Sequence, residues 1–277
     1  MNVAITGASG LIGTRLLDRL PAFGHTARAI PRGAAVPECD AIVHLAGDPV
    51  AQRWTDAAKN RIYDSRVEGT RQLVTGLSQL SHLPSVLVCA SAVGIYGSRG
   101  DEILTENSPA GSGFLPRVAM DWEASARTAE PLGIRVISLR LGVVLGRGGA
   151  LAKLLPPFRL GAGGRLGSGR QWMSWIHIDD VVSLILSAME NASLRGPVNA
   201  TAPEPVTNAD FTRILGSAVH RPAIFPVPAL ALRLALGEMS QVLLDSQRVL
   251  PAAAQAAGFT FQFPQLRSAL ESLLAAS

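Results

Sequence analysis

The fold is decided at the start of the chain, by the stretch Asn2-Val3-Ala4-Ile5-Thr6-Gly7-Ala8-Ser9-Gly10-Leu11-Ile12-Gly13. Residues 2–6 form a short apolar run with β-branched side chains, which predicts a strand. Residues 14–20 carry apolar side chains at helical spacing, and Pro21 and Gly24 follow them as helix-ending residues. A strand, a glycine turn and a helix in this order are the context that a phosphate-binding loop requires.

Each glycine of this turn has its own use in a loop that binds a dinucleotide. Gly7 permits the tight turn, Gly10 lets the backbone approach a diphosphate, and Gly13 lets the helix pack closely on the sheet. The helix N-terminus presents free N–H groups to the phosphates, so Leu11 and Ile12 join the three glycines as predicted cofactor contacts. The alternative is a purely structural glycine turn, which the flanking strand and helix disfavour.

The residues after the second predicted strand, 26–30, indicate which dinucleotide is bound. Sites specific for NAD place an acidic residue about 20 residues after the glycine motif, where it holds the ribose 2′-hydroxyl. No acidic residue occurs between Asp18 and Glu38, and Arg32 stands at the expected place with Arg28 nearby. A guanidinium can bind a 2′-phosphate through two N–H groups, so we predict NADP as the cofactor. The alternative is that Arg32 is a solvated loop residue.

The rest of the chain alternates between predicted strands and helices. Apolar runs at 40–47, 86–91 and 135–140 predict buried strands, and the segments 56–80 and 115–129 predict helices. This alternation predicts an α/β fold with a doubly wound parallel sheet of the Rossmann type.

Two later segments carry signals for the start of a helix. Asp179 or Asp180 is predicted to cap a helix over 181–190. Thr207 and Asp210 are spaced like the two members of a capping box, which predicts that another helix begins there.

We predict two regions in the chain. Residues 1–221 form the NADP-binding Rossmann domain, whose segments 147–178 and 199–221 contribute to a substrate lobe, and residues 222–277 form a C-terminal helical lobe. The leucine-rich stretch 230–244 could be mistaken for a membrane anchor. Because charged residues lie in and beside it, we predict a helix packed on the second lobe.

Composition excludes several classes of protein. With 25 basic and 21 acidic residues the net charge is only +4, and no basic block occurs, so we predict no nucleic-acid partner. No apolar stretch reaches the ~18 residues that a membrane-spanning helix needs, so we predict no membrane association and a soluble cytoplasmic protein. The two cysteines exclude a disulfide scaffold. The five histidines are scattered, which predicts no metal site.

Several motifs together resemble the extended short-chain dehydrogenase/reductases, the NAD-dependent epimerase/dehydratase proteins. The chain is most similar to an atypical branch of unassigned substrate, usually labelled epimerase family protein, which has its own C-terminal lobe. The resemblance covers nearly the whole chain and implies NADP binding, an unidentified small-molecule substrate and, by fold-level analogy, a homodimer through the two long helices. It also implies that Arg32, Leu45, Ala46, Arg66 and Val144 contact the cofactor. The motifs are Thr6–Gly13, His44–Gly47, Arg53–Thr55, Asp64–Thr70, Ser91–Gly97, Asp121–Glu123, Gly167–Trp175, Trp175–Asp180, Asn199–Asn208 and Leu236–Met239.

One departure from the wider family concerns catalysis. Its members resemble one another in a Tyr-x-x-x-Lys pair, in which the tyrosine transfers a proton and the lysine lowers the tyrosine pKa. Here Leu115 and Ala119 stand at the expected places, and neither Tyr63 nor Tyr96 is followed by a lysine at the fourth position. The usual proton-transfer mechanism is therefore absent from this chain.

Ser91 and Tyr96 are the nearest residues that could supply a proton, since they follow the fourth predicted strand at the edge where a substrate would lie. We predict them as the catalytic residues, while for Tyr96 simple packing under the following loop is an open alternative. His44 and His177 are predicted to be packed and hydrogen-bonded.

Two function classes remain. One is an NADP-dependent oxidoreductase or epimerase-like enzyme, and the other is a catalytically silent NADP-binding redox sensor or interaction module.

Overall fold

The computed structural model describes residues 1–275 of the chain. These residues form strands and helices in alternation along most of the sequence, with short 3₁₀ turns between some of them. The strands are β1 (Asn2–Thr6), β2 (Thr26–Ile30), β3 (Ala41–His44), β4 (Val86–Ala92), β5 (Ile103–Leu104), β6 (Arg135–Leu141), β7 (Val143–Leu145), β8 (Trp172–Met173), β9 (Trp175–His177), β10 (Gly196–Ala200), β11 (Val206–Thr207) and β12 (Arg248–Val249). The helices are α1 (Leu11–Arg19), α2 (Asp56–Leu77), α3 (Phe114–Arg127), α4 (Gly149–Arg159), α5 (Ile178–Glu190), α6 (Asn208–Ala218), α7 (Ala229–Leu236), α8 (Gln241–Leu244), α9 (Ala252–Ala256) and α10 (Leu266–Leu274).

The central sheet has six strands in the order β10-β6-β4-β3-β1-β2, and every neighbouring pair is parallel. The predicted doubly wound Rossmann fold is therefore confirmed. From β1 the chain proceeds outward to β2, whereas from β3 it proceeds in the opposite direction to β4. The reversal lies between β1 and β3, and in open α/β sheets the ligand crevice lies at the carboxyl ends of the strands at such a point.

The sheet is covered on both faces, which explains why its strands are apolar throughout rather than alternating. Val3 and Ile5 of β1 pack with α1 and α5 on one face. Ala4 of β1 and Leu87 of β4 pack with α2 and α3 on the other face. β2 is the exposed edge strand, since only Ile30 in it is buried.

Most predicted boundaries agree with the structure to within about three residues, and the largest corrections concern helices. The helix after β9 begins at Ile178, and its cap is His177, whose Nδ1 accepts the Asp179 N–H at 3.1 Å. The prediction that Asp179 or Asp180 caps it is therefore wrong. The helix start predicted at Thr207 is confirmed, because the Thr207 hydroxyl accepts the Asp210 N–H at 3.1 Å; the Asp210 carboxylate accepts from that same hydroxyl at 2.7 Å. Helix α4, which contains two prolines, was not predicted from the sequence.

The second lobe is built on the paired strands β7 and β9, with α4, α6 and α10 around a shared apolar cluster. Asp180, at the start of α5, ties the C-terminal segment to this lobe by accepting the backbone N–H groups of Gln262 (2.7 Å) and Phe263 (3.0 Å). The predicted C-terminal lobe extends to residue 277, and residues 276 and 277 lie outside the described residues.

Helix α7 differs most from its prediction. The leucine-rich stretch 230–244 forms two short helices with a 3₁₀ turn between them rather than one helix. None of the α7 residues is buried, and Leu230 and Leu234 project into solvent. Among residues 1–275, no helix has both the length and the apolarity needed to cross a membrane.

Candidate functional site

The glycine turn lies directly against the loop that follows β3. Gly7 has φ +68°, a conformation that side chains disfavour, and a Cβ there would lie 2.6 Å from the Leu45 carbonyl carbon. A Cβ on Gly13 would overlap the Gly7 carbonyl oxygen and the Ala8 backbone. Both positions therefore need glycine for close packing. The turn lies at the point between β1 and β3 where the strand order of the sheet reverses.

The N-terminus of α1 is open at this turn. Gly10 is its N-cap residue, carries no side chain that could cap the helix, and is exposed. The Gly10 N–H donates to the Gly7 carbonyl oxygen at 3.0 Å, so the turn is fixed by its own backbone. The first N–H groups of a helix have no partner within the helix, and here Leu11, Ile12 and Gly13 supply them. Such a cradle fits the diphosphate of a dinucleotide, since it combines backbone donors with the positive end of the helix dipole.

Leu45 and Ala46 follow β3 beside this turn, and Arg66 on α2 is held close to them. The Arg66 guanidinium donates from Nη1 to the Asp48 carbonyl oxygen at 2.9 Å and lies 5.1 Å from the centre of the Trp122 ring. A Cβ on Gly47 would lie 3.0 Å from its Cζ atom. Burial lowers the pKa of Arg66 to about 10, which still leaves the side chain cationic at neutral pH. The structure thus brings Leu45, Ala46 and Arg66 to one side of the crevice.

Arg32 lies in the exposed loop that follows β2. Because Ile30 is paired with Thr6 in the parallel register of β1 and β2, the loops after both strands emerge at the same edge of the sheet. Arg32 is therefore beside the glycine turn, on the side away from Leu45.

Val144 completes the predicted cofactor set on the opposite side of the turn. It belongs to β7 and packs in the same apolar cluster as Leu11 and Ile12. A Cβ on Gly146 would lie 3.1 Å from the Leu11 side chain, so the loop after β7 is packed closely on the start of α1. The predicted contacts therefore lie around the glycine turn, from the loop after β2 on one side to β7 of the second lobe on the other.

Ser91 and Tyr96 lie instead in a network beneath this edge, which we call the polar cluster and define as Ser91, Tyr96, Glu123, Arg140 and Asn199. The Ser91 hydroxyl donates to Glu123 Oε1 at 2.7 Å. Arg140 binds the Glu123 carboxylate with two N–H groups, at 2.8 and 2.9 Å, and donates a third to the Tyr96 hydroxyl at 2.9 Å. The Tyr96 hydroxyl donates to Asn199 Oδ1 at 2.7 Å. The cluster connects β4, α3, β6 and β10.

The polar cluster is closed to solvent. Ser91 is 2% exposed and Tyr96 is fully buried among apolar side chains such as Leu104 and Val249. Burial raises the pKa of Tyr96, although the Arg140 charge opposes the shift. This geometry agrees with the packing alternative for Tyr96, and proton transfer by either residue stays a prediction.

The positions that hold the Tyr-x-x-x-Lys pair in the wider family contribute only apolar surface. Leu115 is half-buried and faces Gly94, whereas Ala119 is buried beside Tyr96. A further apolar cluster joins the start of α3 to Trp54 and to Met239 of the C-terminal lobe. Sequence reasoning missed that contact, and it missed the Glu123–Arg140 ion pair, although Glu123 follows Ala119 by one helical turn on the same face of α3.

The two histidines singled out in the sequence are packed as predicted. His44 bonds Thr6 through Nδ1 at 2.6 Å and Thr70 through Nε2 at 3.0 Å, and its burial lowers its pKa to about 4. His177 contacts Ser272 and the Phe263 ring, and burial likewise lowers its pKa to about 4. Both imidazoles are therefore neutral at pH 7. Within residues 1–275 no group of His, Cys, Asp and Glu side chains is arranged to hold a metal ion.

Comparisons with known proteins agree with this geometry. Residues 3–200 match the NAD dependent epimerase/dehydratase family, and residues 227–273 match a domain described only as of unknown function. The Arabidopsis thaliana protein named epimerase family protein SDR39U1 homolog, chloroplastic, is 40% identical over 99% of this chain and 87% of its own length. The Bacillus subtilis epimerase family protein YfhF is 38% identical over 99% of this chain and 98% of its own length.

A solved structure gives the same result in three dimensions. The human epimerase family protein SDR39U1 (isoform 2), crystallised with NADPH, superposes with a TM-score of 0.95 at 33% identity over the full length of both chains. Sequence and structure together show that this chain belongs to the NAD-dependent epimerase/dehydratase family, among the SDR39U1-like epimerase family proteins.

Proposed function

We propose that this chain binds NADP(H) along the carboxyl edge of the sheet and acts as an oxidoreductase or epimerase-like enzyme on a small molecule. The observation that carries the proposal is the glycine turn, in which Gly7 and Gly13 exclude any side chain while the uncapped start of α1 remains exposed. The NADPH in the human relative supports the choice of cofactor.

The residues on the two sides of the turn would bind different parts of the cofactor. Backbone N–H groups of Leu11, Ile12 and Gly13 bind the diphosphate, and Leu45 and Ala46 line the side toward β3. Arg32 is exposed and free to form a two-pronged contact with the 2′-phosphate, which NAD lacks. Val144 and Leu11 form an apolar wall on the side toward β7.

The bound cofactor supplies or accepts a hydride at a substrate carbon. The residues of this chain position the cofactor and the substrate and transfer the accompanying proton. A well-placed proton donor raises the rate ~10²–10⁴-fold. Ser91 and Tyr96 are the proposed donors. Because their hydroxyls are buried and bond Glu123 and Asn199, we expect slower turnover than a solvent-facing tyrosine would give.

A second candidate function is favoured by a specific observation. With Leu115 and Ala119 in place of the usual pair, and with both hydroxyls enclosed, the site resembles a cofactor-binding surface without a proton donor. This arrangement would suit a catalytically silent NADP-binding sensor or interaction module.

Two measurements test the proposal, the first its cofactor and the second its enzymatic activity. Calorimetric titration with NADPH and NADH should show binding with a preference for NADPH, and the absence of heat at millimolar cofactor would refute the function. Oxidation of NADPH is then followed across a panel of carbonyl compounds and nucleotide sugars. Turnover that falls in Ser91→Ala or Tyr96→Phe supports the enzyme, whereas stoichiometric binding without turnover supports the silent module.

A further inference from the structure

The most exposed apolar side chains of the molecule are gathered in the second lobe. Five large side chains are between 58% and 82% exposed, and every other large apolar side chain of residues 1–275 is at most half exposed. We call the five the apolar ridge, and they are Leu160, Ile224, Phe225, Leu230 and Leu234. Soluble proteins rarely leave so much contiguous apolar surface uncovered, so the ridge points to a partner.

Backbone contacts show that the chain segments that carry the ridge lie side by side. The loop 160–167 runs beside the segment 221–228, where the Phe225 N–H donates to the Gly163 carbonyl oxygen at 3.2 Å and the Val227 N–H to the Arg165 carbonyl oxygen at 2.9 Å. Helix α7, which carries Leu230 and Leu234, follows this segment directly. Two separate stretches of chain, 160–167 and 221–236, thus carry the five residues of the ridge.

The same surface is strongly basic. No Asp or Glu occurs from residue 131 to 178 or from 211 to 237. Arginines follow the ridge along the chain, since Arg159 precedes Leu160, Arg221 lies three residues before Ile224, and Arg233 precedes Leu234. Within the ridge, Leu160, Ile224 and Leu234 therefore each have an arginine within three positions in the sequence.

A cavity of about 540 Å³ opens at the edge of the ridge, with Ile224 and Pro226 in its wall. Three arginines line it, namely Arg165, Arg213 and Arg221. Arg213 pairs with Asp210 at 3.0 Å, whereas Arg165 and Arg221 form no ion pair with any described residue. A cationic cavity of this size fits a phosphate-bearing headgroup.

We propose that the apolar ridge and its arginines dock this protein on the surface of an anionic phospholipid bilayer. The five apolar side chains enter the boundary between headgroups and acyl chains, and the arginines bind lipid phosphates while their stems pack on apolar surface. Each basic side chain near the surface strengthens the attraction to anionic lipid.

A second copy of the chain is the less suitable occupant. A symmetric pair would place each arginine-lined ridge against the same ridge of its partner, so the like charges would repel. The sequence analysis predicted no membrane association because no segment spans a bilayer, and that criterion does not detect a helix or loop that lies at the interface. The proposed docking departs from that expectation, and the vesicle assay decides between them.

The test uses the whole protein and phospholipid vesicles in a flotation assay. Vesicles of phosphatidylcholine alone are compared with vesicles containing about one third phosphatidylglycerol, a typical source of negative surface potential. We expect binding to the anionic vesicles, weakened when added salt shortens the screening length. Leu230→Ser/Leu234→Ser and Arg165→Glu/Arg233→Glu should each lower the bound fraction by about tenfold or more.

Matched controls are available elsewhere on the surface. Phe23→Ser removes an exposed aromatic outside the ridge, and Arg117→Glu reverses an exposed arginine on α3; both should bind vesicles like the parent protein. Thermal melting confirms that all variants fold. The proposal is overturned if anionic vesicles are not bound at low salt, or if binding is equal without the anionic lipid. It is equally overturned if the ridge variants bind normally, or if they only dissociate a dimer in size-exclusion chromatography.

Discussion

The glycine turn after β1 and the polar cluster beneath β4 lie toward the same edge of the sheet and are built in opposite ways. At the turn, glycines remove side chains and leave backbone N–H groups open at the start of α1. In the polar cluster, Ser91, Tyr96, Glu123 and Arg140 bond one another and are buried. The two regions therefore differ in what they expose: the turn presents backbone N–H groups to solvent, whereas the polar cluster encloses its hydroxyl groups.

The largest effect should come from breaking the polar cluster. Glu123→Gln leaves the Arg140 guanidinium buried without a counter-charge, and the expected loss of unfolding free energy is about 3–5 kcal/mol in urea titrations. The double variant Glu123→Leu/Arg140→Met should recover most of this loss, because no unpaired charge remains.

A surface pair provides the control for that variant. Glu68 and Arg71 form an exposed ion pair on α2, so Glu68→Gln should change the unfolding free energy by less than about 1 kcal/mol. A Glu123→Gln protein as stable as the parent would show that the polar cluster does not hold the proton-transfer region closed.

The next largest effect should come from filling the glycine turn. In Gly13→Ala the added methyl group overlaps the backbone of Gly7 and Ala8, so about 1–3 kcal/mol of stability should be lost and NADPH affinity should fall with it. Gly69→Ala is the matched control, since a methyl group there meets only the Asp64 carbonyl oxygen at 3.8 Å within a helix. Normal NADPH titration by Gly13→Ala would mean that the turn does not hold the diphosphate.

These two regions also differ in how far the sequence predicted them. The turn was predictable because its strand, glycines and helix are contiguous in the sequence, from residue 2 to residue 20. The sheet was also predictable, because helices cover both of its faces and its strands are therefore apolar throughout. The Glu123–Arg140 pair depends on how α3 lies across β6, which no local pattern records. Likewise, the charged residues in and beside the stretch 230–244 predicted a packed helix rather than a membrane anchor, whereas packing against a neighbour is decided by tertiary structure.

Acid should weaken the contacts of His44 that connect β1, β3 and α2 next to the turn. Its pKa is about 4 in the folded protein and near 6.5 when unfolded, so its contribution to stability is complete above pH 6.5 and is lost as the pH falls toward 4. For this residue alone the unfolding free energy at pH 5 should be about 2 kcal/mol lower than at pH 7.5. His44→Gln should flatten that part of the profile, and an unchanged slope would show that the imidazole is not enclosed.

The smallest effect should appear at Arg32, in the exposed loop beside the glycine turn. Its substitution tests whether this region distinguishes NADPH from NADH. Arg32→Ala should weaken NADPH by about tenfold, or ~1.4 kcal/mol, because one charged contact to the 2′-phosphate is removed at an exposed position. Affinity for NADH should not change, since NADH carries no phosphate there. Arg71→Ala, an exposed arginine on α2, is the control and should leave both affinities intact. If Arg32→Ala weakens NADPH and NADH equally, the residue contributes general positive charge and does not recognise the phosphate.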